Sequence, residues 1–170
     1  MGKRIVIVGG GAAGASAAAR ARRLDPEAEV VMLDKGLYIS HAPCGIPYYI
    51  GGVVKEAQDL AIYTPEEFAK ERKITVKINA EVYDIDTGNQ VVYVKEGNDI
   101  TKYQWDALII ATGAKPITLP VEGHDLNGIL TLRLPHEAPR LREEVEKAST
   151  VAVVGGGYIG LEVAEALRNL

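Results

Sequence analysis

Lys3-Arg4-Ile5-Val6-Ile7-Val8-Gly9-Gly10-Gly11-Ala12-Ala13-Gly14 is an apolar, β-branched run that breaks without a spacer into G-x-G-x-x-G. The run has the pattern of a strand buried on both faces of a parallel sheet. The Ala-rich stretch Ala12–Leu24 reads as a helix, and Val30–Leu33 as the next strand, closing on Asp34. Asp34 lies twenty residues beyond Gly14, the spacing at which an acid meets the hydroxyl pair of a ribose. Each part of this pattern has a physical task. Glycines let the backbone approach a pyrophosphate, the helix start carries free N–H groups toward its charge, and the carboxylate fixes the sugar. A lone G-x-G-x-x-G is weak evidence, but strand, turn, helix and acid together specify a dinucleotide-binding β-α-β unit.

The same motif returns. Val8-Gly9-Gly10-Gly11-x-x-Gly14 is matched by Val154-Gly155-Gly156-Gly157-x-x-Gly160, offset by 146 residues and preceded by a second β-type run, Thr150–Val154. A second dinucleotide site therefore begins near the end of the chain, with Tyr158 and Ile159 inside its turn. Between the two copies lie Thr64-Pro65-Glu66-Glu67, a capping box opening a helix to about Arg72, and four short β-type segments, Ile74–Ile78, Glu81–Asp86, Gln90–Lys95 and Ile100–Gln104. These segments read as an inserted β-meander. Asp106–Ala111 is the next core strand, ended by Thr112-Gly113, which should face the nucleotide at the carboxyl edge of the sheet. Lys115–Gly128 reads as a linker, Ile129–Leu132 as a short strand and Pro135–Ala148 as an amphipathic helix.

The resulting fold class is α/β: a Rossmann-like, three-layer ββα sandwich with an inserted meander, plus the start of a second dinucleotide-binding domain. Residues 1–114 are expected to form the first domain, 115–149 a linker and crossover helix, and 150–170 the first β-α unit of the second. Composition agrees with an ordinary soluble chain, 47% apolar and 25% charged. The net charge of −4 argues against a nucleic-acid binder. No run is long enough to span a bilayer, and a single cysteine excludes an intrachain disulfide framework and fits a reducing cytoplasm. Three scattered histidines, His41, His124 and His136, lack ligand spacing, so no metal site is expected.

The one cysteine, Cys44, sits in Ser40-His41-Ala42-Pro43-Cys44-Gly45-Ile46-Pro47-Tyr48, a few residues past the first fingerprint and its acid. Pro43 and Pro47 stiffen the backbone there, and Gly45 admits a flat ligand. A short helix starting near Cys44 would favour its thiolate. Taken alone, a lone cysteine is more often a buried, inert packing residue, and it is the surroundings that reverse that reading. Arg20 and Arg23 share a face of the first helix, which fits either a solvated basic face or a clamp for an anionic substrate.

These residues resemble the pyridine nucleotide–disulfide oxidoreductases: two glycine fingerprints, a Thr112-Gly113 strand end after Trp105–Ala111, and one cysteine in Ser-x-x-x-Cys-Gly-x-Pro-Tyr. The resemblance covers the whole chain. It is narrowest to the single-cysteine branch of coenzyme A-disulfide reductases, NAD(P)H oxidases, NADH peroxidases and persulfide reductases. It implies an FAD-dependent NAD(P)H:disulfide oxidoreductase, with coenzyme A disulfide or persulfide as the favoured acceptor and O2 as the alternative. Gly9, Gly11, Ala12, Ala13, Gly14, Asp34, Lys35, Ser40, Val82 (through its backbone), Ala111, Thr112, Gly113 and Arg133 would hold FAD. Gly155, Gly157, Tyr158, Ile159 and Gly160 would hold NADH or NADPH, with Tyr158 shielding the flavin. Cys44 would carry electrons between flavin and substrate. No second cysteine stands at position 39 or 49, so the thiol would cycle through a mixed disulfide or sulfenic acid. Ser16, Arg20, Arg23, Ser40, Pro43 and Arg72 match positions that touch coenzyme A in such enzymes, although Pro43 replaces a frequent Asn. The peroxidases' histidine within the first glycine loop is absent from Gly9–Gly14, which argues against that activity. The family's remaining half of the FAD domain, with an acid on the ribityl chain, and its dimerisation domain have no counterpart here. The resemblance therefore marks the chain as an amino-terminal part of a protein that is otherwise a homodimer. A nucleotide-binding module without catalysis is the alternative of another class.

Overall fold

A computed structural model describes residues 2–170, which fall into two compact units. The first runs through His41 and resumes at Ile62–Gly113; the second comprises Ala42–Ala61 and Ala114–Leu170.

In the first unit, β1 (Arg4–Val8), β2 (Glu29–Leu33), β3 (Thr75–Lys77) and β7 (Ala107–Ile110) form a parallel sheet in the order β3-β2-β1-β7. Val6 pairs with Val31 on one side and Leu108 on the other, so β1 is central and fully buried at Val6 and Ile7. One face of the sheet takes α1 (Ala12–Leu24), whose Ala15, Ala18 and Ala19 pack on Ile7, Val30 and Met32. Small side chains are what let a helix lie this close to a sheet. The other face takes an antiparallel meander, β4 (Ala80–Asp86), β5 (Val91–Glu96) and β6 (Asp99–Gln104), through Val6, Val31 and Leu33 against Ala80, Val92 and Val94. Helix, parallel sheet and antiparallel sheet make the three layers expected from the sequence.

Three differences concern strand partners. Ile74–Ile78 was expected in the meander; its core, β3, instead joins the parallel sheet, with Val31 opposite Thr75. Ile129–Leu132 and Thr150–Val154 were expected as strands, and neither forms one. Both have β-type residues, but no neighbouring strand among the described residues offers them a ladder, and a strand is defined by pairing.

α3 (Pro65–Arg72) begins with the anticipated capping box: Glu67 N–H donates to Thr64 Oγ1 at 3.1 Å and Thr64 N–H to Glu67 Oε2 at 3.0 Å. Tyr63 and Phe68, on either side of the box, meet edge to face with ring centroids 5.5 Å apart, the hydrophobic staple that fixes the entry angle of a helix.

The second unit is helical. α2 (Ile46–Ile50), α4 (Ala138–Lys147) and α5 (Tyr158–Arg168) enclose Ile46, Tyr49, Ile50, Leu60 and Ala138. Arg142 Nε donates to Glu146 at 2.9 Å, and its guanidinium carbon lies 5.3 Å from the Tyr49 ring centroid. Among the described residues no helix is long and apolar enough to cross a membrane.

The meander carries a titration signature. Tyr103 Oη donates to Glu96 Oε1 at 2.8 Å, and Thr101 Oγ1 donates to the same oxygen at 2.9 Å. Burial pushes the Glu96 carboxyl up, but the bonds from Tyr103 and Thr101 and the Lys77 charge outweigh it, leaving the carboxyl below its ordinary value. Burial and the bond to Glu96 push the Tyr103 hydroxyl up to about 12. A depressed acid stabilises the fold above its unfolded pKa and loses that contribution as pH falls through the folded value. For Tyr103 the contribution is present below its ordinary value of 10.0 and is lost as pH rises toward about 12. Glu96→Gln is therefore expected to lower the unfolding midpoint at neutral pH and to match the wild type in acid. A gap that persists in acid would show that Glu96 acts through packing alone.

Candidate functional site

Of the first-unit residues expected at a nucleotide, Gly9–Gly14, Asp34, Ser40 and Ala111 meet at one turn. β1 ends at the point where the sheet order reverses between β2 and β7, and the turn that follows is shaped by its glycines. Gly9 has φ +103, a left-handed conformation, and a Cβ there would lie 2.2 Å from the Ala111 carbonyl oxygen. A Cβ on Gly14 would lie 1.7 Å from the Gly9 carbonyl oxygen, so α1 can start against the turn only with glycine there. Gly11 is different: a Cβ would meet only the His41 ring, at 3.5 Å, so its freedom is not needed for packing. The first helical bond is Ala15 N–H to Gly11 C=O at 2.9 Å. The amides of Ala12, Ala13 and Gly14 thus precede the helical ladder, and Ala12 and Ala13 are exposed.

Asp34 follows β2 and braces the turn. Its Oδ2 accepts from Gly10 N–H at 2.5 Å and its Oδ1 from Gly36 N–H at 2.7 Å. The Gly10 carbonyl in turn accepts from Ser40 N–H at 2.7 Å. One face of this carboxylate is therefore held by backbone, with further lone pairs left to accept from hydroxyls. Lys35 is exposed beside it. Ala111 bonds to Val8 C=O at 2.7 Å, and Thr112 and Gly113 (φ +71) are exposed past the carboxyl end of β7. Val82 lies on β4, an edge strand with a bulge between Val82 and Asp84, so part of its backbone faces away from the sheet. Unladdered amides at the exposed start of α1, a glycine at which a Cβ would meet only the His41 ring, and an anchored acid fit the pyrophosphate and ribose of a dinucleotide such as FAD.

Next to this turn is a cavity of about 230 Å³ with Ser16 and Arg23 of α1, Ser40, Tyr63, and Phe68 and Arg72 of α3 in its wall. Ser16, Arg23, Ser40 and Arg72 were singled out in the sequence; Tyr63 and Phe68 were not. Their signal was the staple flanking the Thr64 capping box, which turns both rings to the same side as Arg72. Arg20 is exposed and is not in the wall. Arg72 Nη2 donates to Tyr63 Oη at 3.2 Å, while its buried Nε has no hydrogen-bond partner among the described residues. No carboxylate lines the cavity. Its chemistry is two guanidiniums and two serine hydroxyls, a donor set for phosphate.

In the second unit Cys44 is exposed, within the 3-10 turn Pro43–Gly45 that leads into α2. Gly45 is tight against Leu60, whose Cδ2 would be 2.8 Å from a Cβ. Arg133 has a buried Nε without a partner among the described residues. The second fingerprint repeats the first closely. Gly155 has φ +113, a Cβ on Gly160 would lie 2.0 Å from Gly155 O, and Leu161 N–H bonds to Gly157 C=O at 3.0 Å. Tyr158 and Ile159 are both exposed at the start of α5. Among the described residues no cluster of His, Cys, Asp and Glu could hold a metal.

The sequence profile of the family described as "Pyridine nucleotide-disulphide oxidoreductase" matches residues 3–170. A "NAD(P)H sulfur oxidoreductase (CoA-dependent)" of Pyrococcus abyssi is 48% identical over 166 residues, covering 96% of this chain and 36% of that protein. A "NADH oxidase" of Methanocaldococcus jannaschii is 37% identical over 169 residues, 97% of this chain and 38% of the relative. Among solved structures, the reduced Bacillus anthracis CoADR-RHD superposes with a TM-score of 0.93 at 38% identity, covering 99% of this chain and 31% of that one. The chain thus spans little more than a third of the curated relatives it matches.

Proposed function

The chain belongs to the pyridine nucleotide–disulphide oxidoreductase family, whose members use FAD and NAD(P)H, and from that premise we propose that its protein reduces coenzyme A disulfide or persulfide through Cys44. The observation that carries this reading is the cationic cavity beside the first glycine turn, because a phosphate-bearing thiol is the acceptor such a donor set selects. In this reading Arg23, Arg72, Ser16 and Ser40 hold the phosphates. The turn Gly9–Gly14, Asp34, Lys35, Val82, Ala111–Gly113 and Arg133 hold FAD, and Gly155–Gly160 hold NADH or NADPH. Arg20, exposed on α1, is available to the coenzyme from outside the cavity.

Bound FAD supplies two-electron transfer between NAD(P)H and sulfur. The contribution of the chain is to hold each reactant and to provide one exchangeable thiol. The Cys44 sulfur attacks a substrate disulfide, one thiol leaves, and the other stays on Cys44 as a mixed disulfide. The overall balance is one disulfide, one NAD(P)H and one proton giving two thiols and NAD(P)+. A second reading, reduction of O2, is favoured by the similarity to the Methanocaldococcus jannaschii NADH oxidase. The whole protein is read as a cytoplasmic homodimer.

Anaerobic NAD(P)H consumption dependent on coenzyme A disulfide is the test. Consumption only in the presence of O2, with none from the disulfide, would replace the reductase reading by the oxidase one. A purified protein with no flavin absorbance and neither activity would leave only nucleotide binding. Arg72→Ala is expected to raise KM for coenzyme A disulfide by about tenfold or more, since a hydrogen bond to a charged group contributes about 1.5–3 kcal/mol. An unchanged KM would remove the cavity from the substrate site.

A further inference from the structure

Resting on the coenzyme reading of the cavity, we propose that Tyr63 is a positioning residue that fixes which edge of the Arg72 guanidinium faces the substrate phosphate. The guanidinium carbon lies 5.7 Å from the Tyr63 ring centroid and 6.0 Å from that of Phe68, so the cation is held against two rings. The rings are themselves locked, 5.5 Å apart at 64°, by the staple at the start of α3. Stacking alone leaves a planar cation free to turn in its plane. The Tyr63 hydroxyl stops that rotation by accepting from Nη2 at 3.2 Å.

The consequence is directional. A guanidinium has five N–H donors in a rigid fork. With Nη2 committed to Tyr63, the buried Nε–H remains without an acceptor among the described residues. A buried unsatisfied donor costs free energy that a ligand oxygen can recover. Arg22 shows the contrast: it gives its donors to the carbonyls of Lys73, Pro26 and Ala28 at 3.0, 2.8 and 2.6 Å, and is a structural brace. Arg72 keeps its Nε edge for an acceptor that enters the cavity. A phosphate presents paired oxygens to such an edge, and Arg23 in the same wall adds the second positive charge. Lysine has neither the fork nor the flat face, so Arg72→Lys would keep the charge and lose the orientation.

Tyr63→Phe keeps the ring and the staple and removes only the hydroxyl. In the FAD-loaded protein, KM for coenzyme A disulfide is expected to rise about threefold to tenfold with kcat unchanged, in line with one hydrogen bond. KM for 2-hydroxyethyl disulfide, which carries no phosphate, is expected to stay put. Calorimetric titration with coenzyme A should show the same weakening, and in an Arg72→Lys background the loss of the hydroxyl should add nothing. Tyr63→Phe that leaves the coenzyme A affinity unchanged, in a protein whose affinity falls in Arg72→Lys, overturns the positioning role. A rise in KM for both disulfides overturns it too, because it marks a general packing defect. Wild-type protein that fails to bind coenzyme A overturns the reading beneath and this proposal with it.

Discussion

Cys44→Ser is expected to lower disulfide-dependent NAD(P)H oxidation by about a thousandfold or more, with the fold and any flavin absorbance unchanged. Serine differs from cysteine by one atom, and the side chain is exposed, so the change should move stability by no more than about 0.5 kcal/mol. Chemically the substitution is complete: an alkoxide is not available near neutral pH and does not exchange with disulfides. No other cysteine in the chain can take over. Turnover within tenfold of the wild type, measured anaerobically with coenzyme A disulfide, would show that sulfur exchange at Cys44 is not on the path. Because Cys44 belongs to a turn held by Pro43 and by Gly45 against Leu60, far-ultraviolet dichroism of the variant should be unchanged.

Gly14→Ala is expected to be the most damaging single methyl in the first unit. The added carbon would come within 1.7 Å of the Gly9 carbonyl oxygen, a backbone atom, and is itself fixed rigidly to the helix backbone. Neither can move without lifting α1 off the sheet and breaking the Ala15, Ala18 and Ala19 packing. Overpacking in a rigid core costs about 1–3 kcal/mol, and a clash of a Cβ with a backbone oxygen that cannot rotate away belongs at or above the top of that range. Gly11→Ala makes the informative pair. Its methyl would meet only the His41 ring at 3.5 Å, so the unfolding midpoint should hold, while the proposed contact of this turn with the pyrophosphate should weaken and FAD affinity fall. Chemical unfolding and flavin titration on the two variants separate the glycine that packs from the glycine that binds. Equal loss of stability in both would mean that the turn has no such division.

The elements organised by local rules were readable from the sequence. β1, α1 and β2 lie within a residue or so of their expected bounds because burial, alanine content and the glycine turn are all written within thirty residues. The capping box at Thr64–Glu67 was equally local. What could not be read was long-range pairing. Nothing in Ile74–Ile78 distinguishes a meander strand from an edge strand of the parallel sheet; Val31 opposite Thr75 decides it. Nor do Ile129–Leu132 and Thr150–Val154 state that they find no ladder among the described residues. The grouping of Ala42–Ala61 with α4 and α5 arises from Ile46, Ile50 and Leu60 meeting Ala138 and Leu141, a contact between segments that share no visible period. At the cavity, the shared helix face pointed to Arg20 and Arg23, of which only Arg23 is in the wall, and the family resemblance pointed to Arg72, while the rings that orient Arg72 were hidden in what reads as helix-capping grammar.

The two glycine turns also differ in how they can arise as the chain folds. The bend at Gly9 is closed by Leu33 and Ala111, so it is finished only when residues more than a hundred positions apart have met. The bend at Gly155 reaches the same conformation with nothing within 4 Å of a Cβ there. Short-range bends form on far faster timescales than distant strand docking. The earlier turn is therefore among the last pieces of its unit to lock, because Leu33 and Ala111 must dock before it is complete.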